Sequence, residues 1–155
     1  MDAADNMFYL PSAIQLTRVA VRLLLAAILG GVLGFERQRR GKAAGLRTHM
    51  LVAVGTALFT IAPIQAGMSI ADVSRVLQGI AAGVGFIGAG AILKRTDQEE
   101  IKGLTTAASI WLTAAVGAAV GLGSLWVPVL GAVFAFAILS TLRYMELRID
   151  PDRRE

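Results

Sequence analysis

Residues 79–93 read GIAAGVGFIGAGAIL, with five glycines and no ionisable side chain. The stretch is too apolar for a loop. It is also too glycine-rich for a helix in water, where each interior glycine costs about 0.5–1 kcal/mol relative to alanine. A bilayer holds such a segment helical, because backbone polar groups surrounded by hydrocarbon must bond to one another. On a helix, Gly79 and Gly83 fall four residues apart, as do Ala81, Gly85 and Ala89. Together with Gly88 and Gly90 they offer small-residue faces on which another helix can pack closely, and the rest of the chain is expected to be arranged around them. Composition agrees: 55% of residues are hydrophobic, 17% are charged and the mean hydropathy is +0.65, outside the usual soluble range. With no cysteine, disulfide frameworks, thiolate metal sites and cysteine nucleophiles are excluded.

The predicted fold is all-α: a polytopic membrane helix bundle of five transmembrane helices, spanning about 14–35, 46–66, 73–93, 104–120 and 125–144. Residues 1–13 read as a periplasmic or interfacial segment. Phe8, Tyr9 and Pro11 suit headgroup level, and Asp2 and Asp5 stand where a secretory signal would carry basic residues. Residues 146–155 read as a short cytoplasmic tail. Trp126 and Tyr144 mark opposite interfaces of the fifth span.

Charge sets the expected orientation. The loop after the first span carries Arg37, Arg39, Arg40, Lys42 and Arg47 against the single acid Glu36, and short basic loops stay in the cytoplasm. With the N-terminus outside and the C-terminus inside, twelve of fifteen Lys and Arg face the cytoplasm, and only Arg18, Arg22 and Arg75 lie toward the outer side. Spans one and two resemble spans three and four. Each pair runs inward through a glycine-rich helix, crosses a charged loop and re-enters at Gly45-Leu46-Arg47-Thr48 or Gly103-Leu104-Thr105-Thr106, a candidate parallel repeat of two helical hairpins.

The re-entry motifs suggest N-caps, with glycine freeing the turn and Thr48, Thr105 or Thr106 accepting from the first helical N–H groups. Two helix N-termini beside Arg47 would form a candidate anion site, although capping and positive-inside charge explain the same residues. Arg22 lies within a span, where a charge faces the protein interior or a polar cavity. Its expected partner is Asp72, at the same outer depth. Glu36 and Arg37 are expected to form an inner cluster, with Arg47 and Lys94 as candidate partners for the acid. Thr56, Thr60, Gln65, Gln78, Ser109 and Thr113 are read as helix–helix hydrogen-bonding groups. His49 has no second histidine or cysteine nearby to make a metal site. A phosphate loop with Lys, HExxH and GxSxG are all absent, so neither an enzyme nor a cofactor is expected. The expected surroundings are the lipid bilayer, with another membrane protein or a second copy docked on a small-residue face, and no nucleic acid.

Several segments, in order, resemble the MgtC/SapB family. They are Arg22-Leu23-Leu24 through Leu33-Gly34-Phe35-Glu36-Arg37, Ala44-Gly45-Leu46-Arg47-Thr48, Gly83-Val84-Gly85-Phe86-Ile87-Gly88-Ala89-Gly90, and Gly103-Leu104-Thr105-Thr106-Ala107-Ala108-Ser109-Ile110-Trp111. Asp72 and Arg75 stand where that family has an Asp-x-x-Arg pair. The resemblance implies a bacterial inner-membrane protein linked to growth at low magnesium and, in pathogens, to survival inside host cells. The best-known members are regulators that inhibit the F-type ATP synthase. Those members continue into a soluble cytoplasmic domain, whereas this sequence ends about ten residues after its fifth span. Despite the family name, the spans offer no carboxylate of the kind a hard Mg²⁺ site needs.

Overall fold

The computed structural model describes residues 11–95 and 100–142, and side chains within these ranges except those of 93–95, 100, 101 and 142. The N-terminal aromatics, the centre of the loop after span three, Tyr144 and the tail lie outside the described residues. Among the described residues there are five α-helices: α1 Ala13–Arg39, α2 Leu46–Gln65, α3 Ile70–Gly90, α4 Leu104–Gly121 and α5 Trp126–Ala137. The first four are long and apolar enough to cross a membrane. The fifth is shorter and continues into a π-helical turn, Ile138–Leu142. Between α3 and α4 the chain forms a small antiparallel ribbon, β1 Leu93–Arg95 with β2 Glu100–Lys102, where the sequence suggested only a loop.

Ser12 opens α1 with a capping box, accepting from the Gln15 backbone N–H while the Gln15 side chain accepts from the Ser12 N–H. The helix then runs 27 residues, four past the expected end, because Glu36–Arg39 keep helical geometry. α2 and α4 do begin where the glycine motifs place them, but neither has a threonine cap. Gly45 and Gly103 are themselves the N-cap residues, without side-chain capping bonds. At α2 the missing acceptor comes from α1, since Gln38 Oε1 receives the Leu46 N–H at 3.1 Å. Gly103 has φ +100° and abuts the Ala91 carbonyl, so this reversal requires glycine.

α4 is the hub, packed against α1, α2, α3 and α5. Over their most apolar windows α3 is 11% buried where its counterpart α1 is 33%, and α4 is 56% buried where its counterpart α2 is 39%, so the two hairpins are not equivalent in the bundle. The expectation that the α3 glycines form the packing centre therefore does not hold within one chain. Among the described residues a Cβ on Gly79, Gly83, Gly85 or Gly90 would meet nothing within 4 Å, and of the α3 glycines only Gly88 approaches a neighbour, Ala107. The glycines in tight contact belong to α1 and α4. Gly30 and Gly34 lie against His49, Ala53 and the start of α2, and Gly117 and Gly121 lie against Ala53, Thr56, Ala57 and Thr60. α2 is thus clasped between two glycine faces. Around it Ala26, Ala53, Ala57, Ile61 and Val120 form one core cluster, and Ala44, Val84, Ile110 and Ala114 form another.

Candidate functional site

Where α1 ends and α2 and α4 begin, the bundle holds a layer of buried polar and charged side chains. Glu36 and Arg37 are only 6% and 4% exposed, and His49 is fully buried. Successive residues on a helix point about 100° apart, so Glu36 and Arg37 leave α1 in different directions. Glu36 Oε1 accepts from Arg40 Nε one turn on, an ion pair within α1. Arg37 Nη2 donates to Thr106 Oγ1 on α4 at 3.1 Å. Of the neighbours suggested for Glu36, Arg47 is exposed and the described ion pair of Glu36 is with Arg40 instead, while the Lys94 side chain lies outside the described residues.

His49 ties α2 to α4. Its Nδ1 lies 3.0 Å from the Gly45 carbonyl, which can only accept, so Nδ1 carries a proton. Its Nε2 lies 3.2 Å from Ser109 Oγ. The Ser109 hydroxyl also reaches the Thr106 carbonyl at 2.8 Å, and Thr113 Oγ1 donates to the Ser109 carbonyl at 2.8 Å. Hydrogen bonds therefore lead from Arg37 to the Thr106 hydroxyl, and from the Thr106 carbonyl through the Ser109 hydroxyl to His49, linking three helices. Among the described residues Glu36 Oε2 is buried without a hydrogen-bond partner. Half-satisfied buried carboxylates are uncommon, and they concentrate where a fold does something besides hold itself together.

Of the residues singled out in the sequence, the bundle gathers Glu36, Arg37, Thr106 and Ser109 here. Thr48 is half-buried on the first turn of α2, while Thr105 and Trp111 are exposed on α4. Asp72 and Arg75 pair with each other at 3.1 Å on the first turn of α3. Arg22 does not pair with Asp72. Its Nη1 donates to the Gly121 carbonyl at 3.4 Å, at the C-terminal end of α4, where the helix dipole favours a cation. As a lone histidine, His49 suggests no metal site in the sequence, and its place in this layer is a structural one. The signal that marks it is the buried spacing His49, Ala53, Thr56, Ala57 and Thr60, which makes it part of the α2 face turned inward. Among the described residues no cluster of three or more His, Asp or Glu could hold a metal ion.

The MgtC family profile matches residues 23–148, which takes in α1 from Leu23 onward, α2 to α5 and all of this polar layer. The chain belongs to the MgtC family. Within that family it is 45% identical to Protein SrpB of Synechococcus elongatus over 152 residues, covering 91% of this chain and 83% of that protein. It is 43% identical to the Putative magnesium transporter YhiD of Escherichia coli K12 over 136 residues, covering 83% of this chain and 62% of YhiD. It is 43% identical to Protein MgtC of Brucella abortus over 129 residues, covering 83% of this chain and 52% of that protein. The chain thus spans most of SrpB but less than two thirds of the YhiD and MgtC proteins. No solved structure matches it. Four membrane-length apolar helices in an MgtC-family chain make this a membrane protein.

Proposed function

We propose that this MgtC-family chain is a non-enzymatic protein of the bacterial inner membrane that serves adaptation to magnesium limitation and related stress, including survival inside a host cell, by docking against another membrane complex. The single observation that carries the reading is the bare face of α3. This helix packs on α4 with one side and turns Gly79, Gly83, Gly85 and Gly90 away from every other described part of the bundle. Small residues in a span let two helix backbones approach closely, and among the described residues no helix of the same chain takes that place. The F-type ATP synthase, suggested by the family resemblance, is the first complex to examine, and a second copy of the chain is the other occupant to test.

The orientation that goes with this reading has the N-terminus outside, the C-terminus inside and five crossings, α5 making the last. The polar layer of Glu36, Arg37, His49, Thr106 and Ser109 then lies at the cytoplasmic end, and Arg22, Asp72 and Arg75 at the outer end. Cysteine at Ser69 should label from outside in intact cells, and labelling only after permeabilisation would overturn the orientation.

A second reading, a small ion transporter, draws on the name of the Escherichia coli relative, the Putative magnesium transporter YhiD. Two measurements separate them. A docking protein carrying photocrosslinkers at Gly83 or Gly90 should crosslink to one membrane complex identified by mass spectrometry, and should give reconstituted liposomes no ion flux. Sustained Mg²⁺ flux above protein-free vesicles, with no crosslinked complex, would decide for the transporter.

A further inference from the structure

An open cleft of about 660 Å³ lies between the last turn of α1 and the end of α5, lined by Phe35, Glu36, Arg39, Arg40, Phe136 and Ser140. We propose that it binds one anionic phospholipid from the leaflet at the α1–α2 loop, with the phosphate on Arg39 and Arg40 and the start of an acyl chain across Phe35 and Phe136. This does not depend on how the protein is used or on what covers α3.

The two arginines have donors to spare. Arg39 makes no hydrogen bond to another described residue; its guanidinium stands over the Phe35 ring, 5.8 Å from the centroid. Arg40 spends only Nε on Glu36 Oε1, leaving both terminal nitrogens without an acceptor among the described residues. A guanidinium fork matches the oxygens of a phosphate, so two such groups on one wall favour that ligand over a carboxylate-free apolar molecule. The acid matters too. Glu36 is buried and holds Arg40 in place, and with it the lining carries one net positive charge, which a single phosphodiester neutralises.

The other half of the lining is apolar. Phe35 and Phe136 are 55% and 42% exposed beside the charged groups, the combination of ring and cation found where a chain meets the headgroup region. The wall from α5 is also irregular. The backbone widens into the π-helical turn Ile138–Leu142, which carries Ser140, and π turns occur often at binding sites. A free phosphate would use the guanidinium groups and leave both rings bare, whereas a phospholipid uses the whole lining.

The test is native mass spectrometry of the full chain in mild detergent, titrated separately with phosphatidylglycerol, phosphatidylethanolamine and inorganic phosphate, with circular dichroism to confirm the fold of each variant. One phosphatidylglycerol should be retained, about tenfold more tightly than phosphatidylethanolamine. Arg39→Gln and Phe136→Ser should each weaken retention about tenfold. Arg40→Lys should weaken it as well, since it keeps the charge beside Glu36 but loses the fork. Arg47→Gln, an exposed basic residue outside the cleft, should leave it unchanged. Equal loss with Arg47→Gln would reduce the effect to diffuse charge and overturn the site. Displacement of the lipid by inorganic phosphate, or equal retention of both lipids, would overturn the assignment of its ligand.

Discussion

Arg37 Nη2 and Thr106 Oγ1, 69 residues apart in sequence, meet at 3.1 Å and join the end of α1 to the first turn of α4. Both side chains are buried, so the contact is shielded from competing water. Removing a buried acceptor from a charged donor costs about 1–3 kcal/mol. Thr106→Val should therefore lower the melting temperature in detergent, while Thr106→Ser, which keeps the hydroxyl, should stay near wild type. Arg37 has interactions beyond Thr106, so the loss should be partial. Equal melting temperatures for the two variants would show that the hydroxyl contributes nothing.

The glycines make a sharper contrast. A Cβ on Gly117 would run into the Ala53 carbonyl and Thr56 Oγ1, whereas on Gly83 it meets open space. Overpacking a close contact costs about 1–3 kcal/mol and sometimes more. Gly117→Val should destabilise or unfold the monomer, and Gly83→Leu should leave monomer melting unchanged while abolishing crosslinking to a docked helix. A Gly83→Leu chain that no longer folds as a monomer would mean that α3 has a partner within the bundle.

This contrast also marks what could be read in advance. The first four spans are long and apolar, a signal that depends only on local composition, so the starts of α2 and α4 and the membrane class were legible. The hub was not. α3 has the densest glycine, but density says only that a close approach is permitted, while Gly30, Gly34, Gly117 and Gly121 are the ones that α2 meets. The polar layer was half legible: Glu36, Arg37, Thr106 and Ser109 stood out as charge or hydroxyl within apolar runs. His49 and Arg40 did not, because their roles depend on which helix lies opposite. The caps failed for a related reason. Gln38 from α1 supplies the acceptor at Leu46, a tertiary contact that no N-terminal motif announces.

Ser109 offers a test of the link between α2 and α4. Its hydroxyl faces both His49 Nε2 and the Thr106 carbonyl. Ser109→Ala leaves a buried imidazole nitrogen unsatisfied, at a cost of about 1–3 kcal/mol. Ser74→Ala, on the exposed side of α3, should stay within about 0.5 kcal/mol of wild type. Thermal melts of the two proteins make the comparison, and equal shifts would remove Ser109 from the network.

Arg22 is held by backbone, not by an acid. Its Nη1 donates to the Gly121 carbonyl at 3.4 Å, and a Cβ on Gly123 would come within 2.7 Å of its Nη2. Asp72 is engaged elsewhere, accepting from Arg75 at 3.1 Å and from Ser69 Oγ at 2.6 Å. A cation at a partly buried helix C-terminus contributes about 1–2 kcal/mol, so Arg22→Gln should lower stability by about that much. Asp72→Asn, which alters an exposed pair, should cost less than about 1 kcal/mol. With no shared contact the two effects should add in the double variant. Gly123→Ala should fall with Arg22→Gln, because the new methyl strains a φ of +92° and crowds the guanidinium. Melting temperatures in detergent for these four variants and wild type give the answer. A double variant clearly milder than the sum would return Asp72 to Arg22 and displace Gly121 as its anchor.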